Sequence, residues 1–82
     1  MKPFNGSTDL DGETLEFTFY YTPTIEGAKF FVTVTRSWQA YVFDMMEKDS
    51  GKWLINQPAP LWVKPLEERL ADIIRRNIRS DL

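Results

Sequence analysis

The stretch Tyr41-Val42-Phe43-Asp44-Met45-Met46-Glu47-Lys48-Asp49-Ser50-Gly51-Lys52-Trp53-Leu54-Ile55 decides the fold, because it holds two alternating runs separated by one short turn. Asp49-Ser50-Gly51 has the composition of a type I turn closing on a glycine bulge, a three-residue hairpin loop that sets Lys48 opposite Lys52. Counting outward pairs Glu47 with Trp53, Met45 with Ile55 and Asp44 with Asn56. Successive side chains of a strand point to opposite faces, so Tyr41, Phe43, Met45, Trp53 and Ile55 share one face.

Working upstream, Phe30, Val32 and Val34 alternate with Phe31, Thr33 and Thr35, which is a strand of the same kind. If Arg36-Ser37 is a two-residue loop, Val34, Val32 and Phe30 oppose Gln39, Tyr41 and Phe43, and Trp38 opens the following strand. Before that, Leu15, Phe17, Phe19 and Tyr21 alternate with Thr14, Glu16, Thr18 and Tyr20. Pro23 lacks the N–H that a ladder needs and Gly27 lets the chain turn, so this strand is expected to stop near Tyr21. Pairing Tyr21 with Ala28 then sets Phe19 against Phe30 and Phe17 against Val32.

Downstream, Gln57-Pro58-Ala59-Pro60 ends the fourth strand, and the apolar period becomes helical: Trp62, Leu66, Leu70, Ile73, Ile74 and Ile78 fall on one stripe. The helix is expected over 60–79, with Pro60 in its first turn; the alternative start, if Pro65 breaks the ladder, is Pro65 itself. Glu67 and Glu68 early and Arg75, Arg76 and Arg79 late complement the helix dipole. Residues 1–12, with Asn5, Gly6, Ser7, Asp9, Asp11 and Gly12, read as a flexible N-terminal arm ending in a turn. The predicted architecture is α+β: a single domain over 13–82 with a four-stranded antiparallel meander, strands about 13–21, 28–36, 38–48 and 52–57, and one C-terminal helix packed on one face.

Composition narrows the chemistry. The 82 residues include no cysteine and no histidine, which removes disulfides, zinc sites of ordinary type and nucleophile–histidine pairs. No catalytic motif is present, and neither a cofactor nor a metal is expected. No stretch approaches the roughly 18 apolar residues of a membrane span, and the start of the chain has no leader-type apolar run, so a soluble cytoplasmic protein is expected. Asp9, Asp11 and Gly12 match part of a calcium loop, but Thr18 stands where the bidentate Glu is required, so an ordinary turn is expected there.

Charge is unevenly placed, with five acids against Lys2 in residues 1–28 and seven acids against nine bases in 29–82. Attraction within the chain explains this more simply than nucleic acid does. Arg69, Arg75, Arg76 and Arg79 could meet phosphate, but the pI of about 5.0 disfavours it and Asp72 is placed to pair with Arg75 and Arg76.

The second sheet face is the most informative feature, because one helix covers only one side of a sheet. The parity above gives that face Tyr20, Phe31, Trp38, Ala40, Val42, Met46 and Leu54, more apolar than a solvated face requires. It also predicts a polar row in which Tyr20, Lys29, Asp44 and Asn56 lie side by side across the strands. The expected function is a non-catalytic binding or assembly module that uses this face, with a second copy or another protein as partner. The alternatives are a small-ligand binder or enzyme with a pocket between sheet and helix, or an N-terminal arm that folds back over the face with Phe4 and Leu10 as plugs.

Overall fold

The computed structural model describes residues 1–49, 51–56 and 58–80. Ser50, central in the expected hairpin loop, Gln57, the expected end of the fourth strand, and residues 81–82 of the expected domain lie outside them. The architecture is α+β, with one antiparallel sheet in the order β1-β2-β3-β4-β5 and one C-terminal helix. The strands are β1 (Phe4–Leu10), β2 (Glu13–Thr24), β3 (Gly27–Arg36), β4 (Gln39–Lys48) and β5 (Lys52–Asn56). A 3-10 helix, Leu61–Leu66, leads into α1 (Glu67–Ser80). Among the described residues, no helix is long and apolar enough to cross a membrane.

Among the described residues the sheet has five strands instead of the expected four, and the extra one is the segment read as an arm. Asp11 and Gly12 both have positive φ, 51° and 80°, between the paired residues Leu10 and Glu13. Two such residues make the primed turn whose twist matches a hairpin, so β1 returns along β2 with Phe4 opposite Phe19. Phe4 stacks on Phe19 with centroids 5.0 Å apart and meets Phe30 edge-on at 5.5 Å. Phe4 and Leu10 thus lie on the helix side of the sheet, and the arm does not cover the other face.

Two hairpin registers differ from expectation by two residues, which keeps the residues that remain in the strands on their expected faces. The first loop is Ile25-Glu26, with Thr24 paired to Gly27 and the Thr24 hydroxyl donating to the Gly27 carbonyl at 2.6 Å. Pro23 sits inside β2 because β1 pairs only as far as Phe19, so its missing N–H breaks no ladder on that side. Tyr21 therefore faces Phe30, Phe19 faces Val32 and Phe17 faces Val34. The second loop is Ser37-Trp38, at φ 52° and 67°, which puts Val34 opposite Tyr41 and Val32 opposite Phe43.

The third hairpin keeps its expected register, Lys48 opposite Lys52 and Met45 opposite Ile55. Its turn differs in detail, since Asp49 lies at φ 47°, left-handed where a type I turn starts right-handed. The expected helix divides at Pro65. Pro65 cannot donate the i→i−4 bond, so the chain runs as a 3-10 helix through it and becomes α-helical at Glu67. Trp62 accordingly sits half-buried at the margin of the core and packs edge-on against Tyr41 at 5.3 Å, with the Arg36 guanidinium 4.8 Å from its ring.

The core lies between the sheet and the helical layer. Phe17, Phe19, Phe30, Val32, Phe43, Met45 and Trp53 are buried against Val63, Leu66, Leu70, Ala71 and Ile74. Polar clamps fix the helical layer at both sheet edges. At β5, the Ile55 N–H donates to the Glu67 carboxylate at 2.8 Å, filling a donor on an edge that would otherwise be open to another strand. Burial pushes the Glu67 carboxyl up, but this bond and the ammonium groups of Lys64 and Lys52 together hold it below its ordinary value. At β1, Arg69 donates to the Asp9 carbonyl at 2.7 Å and the Thr8 hydroxyl at 3.2 Å.

Candidate functional site

Antiparallel pairing arranges the uncovered face in rows, each taking one residue from successive strands. One end row holds Ser7, Glu16, Thr35 and Ala40, and the next holds Asn5, Thr18, Thr33 and Val42. Then come Tyr20, Phe31, Asp44 and Asn56, followed by Thr22, Lys29, Met46 and Leu54. Thr24, Gly27, Lys48 and Lys52 close the far end.

Six of the seven apolar residues expected on this face are there. Tyr20, Phe31 and Val42 keep 43%, 39% and 60% of their surface in solvent, Ala40 is exposed, and Met46 and Leu54 are half-buried. Trp38 is not on a strand: it occupies the β3–β4 loop, fully exposed and left-handed. The reason is the two-residue shift of that loop, which moves Trp38 from the start of a strand into its turn.

The expected polar row is rearranged by the same shift. Asp44 is opposite Asn56 as expected, but Tyr20 faces Phe31, and Lys29 faces Thr22 and Met46. Lys29 still reaches Asp44 across the diagonal, Nζ to carboxylate 2.9 Å, with its ammonium 5.2 Å from the Phe31 ring centroid. Diagonal neighbours on one sheet face are within reach of a long side chain, which is how the pair survives the change of register.

The floor of the face is uneven. Threonine and alanine at the Glu16 end leave a shallow depression of about 460 Å³, lined by Glu16, Thr18, Thr33, Thr35, Ala40 and Val42. Larger side chains, Phe31, Met46 and Leu54, stand on the other side of it. A smaller cleft of about 240 Å³ lies beyond β5 between Trp53, Glu47, Arg75, Ile78 and Arg79. Arg75 is fully engaged there, donating to the Gly51 carbonyl at 3.0 Å, to Asp72 at 2.7 Å and to Glu68 at 2.8 Å, and these carboxylates raise its already high pKa.

The other residues weighed in the sequence have structural surroundings. Arg76 donates to the Asp72 carbonyl at 3.4 Å, and Arg69 serves the β1 clamp. Asp9 accepts from the Thr14 hydroxyl at 2.9 Å across the β1–β2 hairpin, and among the described residues no group of three or more acidic side chains is placed to hold a metal ion. Comparison with protein-family models, with curated proteins and with solved structures finds no match.

Proposed function

We propose that this chain is a non-catalytic docking module whose uncovered sheet face binds a protein. The observation that carries the reading is the central row of that face, where Tyr20 and Phe31 lie directly opposite one another, both exposed, with Val42 beside them. Leaving contiguous aromatic surface in water forgoes roughly 25 cal/mol for each Å² that burial would remove, and patches of this kind mark interaction sites.

Trp38 adds support from the backbone. A bulky residue at φ 67° is sterically costly, and a fully exposed indole returns no burial to offset it. Tryptophan is also the residue most enriched among those that dominate binding energy. The buried core between sheet and helices offers no comparable site, since its largest side chains are wholly enclosed.

The test is a photo-reactive amino acid at position 42, with position 64 on the helical side as control, expressed in the cell of origin and followed by mass identification of adducts. A protein adduct at 42 that is absent at 64 supports the docking reading. Equal labelling at both positions, or none at either, overturns it.

A further inference from the structure

We infer that the protein docked on the uncovered face is a second copy of this chain, set face to face with its strands antiparallel, so that the Glu16 end of each copy covers the Lys48–Lys52 end of the other. This rests on the docking reading of the same face and names its partner. Charge is the first argument. Asp9 and Glu16 stand exposed at one end of the face, with Asp11 in the turn beyond them. Lys48 and Lys52 stand exposed and directly opposite one another on the sheet at the other end, with Glu26 and Asp49 in the two loops beyond; neither lysine forms an ion pair among the described residues, although the Lys52 ammonium also acts on the Glu67 carboxylate. Two like charges paired across a ladder are unfavourable within one copy, and a carboxylate from a second copy relieves them.

Geometry is the second argument. Glu16 and the Lys48–Lys52 row are eight residues apart along the strands, ~26 Å at the usual strand rise. The row midway between them is Tyr20, Phe31, Asp44 and Asn56. A two-fold axis between the sheets, inclined to that row by ~15° so that the strands cross at the ~30° of aligned sheets, brings the aromatic midline of one copy onto that of the other, as a self-complementary interface requires, and carries Glu16 from β2 across towards Lys48 on β4. Asp44 in that row is already neutralised by Lys29 at 2.9 Å, so the axis brings no bare carboxylates together.

Shape is the third. The same operation sets the row carrying Met46 and Leu54 over the row carrying Thr18, Thr33 and Val42, so the larger side chains of each copy enter the shallow depression of the other. Two sheets stacked this way form a sandwich with the helices outside, within the ~30° crossing of aligned sheets. The longer dimensions of the molecule, 34 and 26 Å, give a face of the extent needed for a standard interface of ~800 Å² per partner.

The experiment is sedimentation velocity over a wide concentration range at low salt, on the wild-type chain, Val42→Glu, Glu16→Lys and the pair Lys48→Glu/Lys52→Glu. Circular dichroism on each variant confirms that it is folded. The wild type is expected to dimerise, Val42→Glu to abolish the dimer, and each charge-reversed variant to weaken it by about tenfold or more. An equimolar mixture of Glu16→Lys with Lys48→Glu/Lys52→Glu is expected to recover the dimer, because each copy then meets its opposite charge at both ends. A dimer abolished by Val42→Glu but indifferent to the charge reversals overturns the crossed arrangement and leaves the docking face standing. A wild type monomeric at every concentration overturns self-association, and photo-crosslinking at position 42 then decides the docking reading separately.

Discussion

Replacing Gly6 with Ala tests the placement of β1 under the helix. A Cβ at Gly6 would lie 2.5 Å from Cγ2 and 2.8 Å from Cδ1 of Ile73, which is buried at 4% exposure. Cγ2 hangs directly on Cβ of a β-branched residue, and such residues hold one strongly preferred rotamer in a helix, so Ile73 cannot swing aside without strain. Overpacking of this kind costs about 1–3 kcal/mol, and the entropy an alanine removes from the unfolded chain returns about 0.4–1, leaving a net loss centred on ~1.3 kcal/mol. The assay is urea unfolding of Gly6→Ala, Ile73→Ala and the double variant. Ile73→Ala removes both clashing atoms at its own cost of about 2–5 kcal/mol, so in its background Gly6→Ala should cost little, with a coupling of about 1–2 kcal/mol. A Gly6→Ala protein within about 0.5 kcal/mol of wild type, or an equal cost in both backgrounds, would refute the close approach.

Phe43→Ala and Trp53→Ala should each cost about 3–5 kcal/mol by denaturant unfolding, while Val42→Ala on the exposed face stays below about 1; the reverse order would mean that the faces are exchanged. Glu67→Gln should lower stability near neutral pH, because the folded pKa of Glu67 is depressed. Its stabilisation is full above the ordinary value of 4.5 and is lost as pH falls through the folded value, so the gap between wild type and Glu67→Gln should close below pH 4.5. A gap that widens on acidification would contradict that sign. Replacing Ser37-Trp38 with Asn-Gly, the pair favoured where both φ angles are positive, should raise stability by about 1 kcal/mol in thermal unfolding. A loss instead would show that Trp38 makes contacts that hold the fold.

The parts of the fold legible in the sequence were those governed by alternation. Parity survives a register shift of two residues, so the core face from Leu15 to Ile55 was recoverable even where the loops were misplaced. The loops themselves were not, for local reasons. Pro23 reads as a strand end until one knows that β1 stops short of it, and Ser37-Trp38 carries neither the Asn nor the Gly by which a primed turn announces itself.

β1 escaped because the helix constrains its inner positions: Gly6 lies under Ile73 and Thr8 meets Arg69, so the apolar alternation survives only at Phe4 and Leu10. The signal that could have found it was Asp11-Gly12, a two-residue pair of the kind primed turns prefer, placed before the alternating run of β2. The candidate face was legible as a set of residues, since parity defined it. Its organisation into an end bearing Glu16, an aromatic midline and an end bearing the Lys48–Lys52 pair needed the actual pairing of the strands.

The most direct test of the uncovered face as the surface on which two copies of the chain meet is a dilution series of ¹⁵N–¹H correlation spectra of the wild-type chain. Concentration-dependent shifts should cluster on Tyr20, Phe31, Val42 and Met46 and spare Asp72 and Arg76 on the helix. Shifts confined to the helix, or spectra unchanged over the whole range, would contradict that pairing.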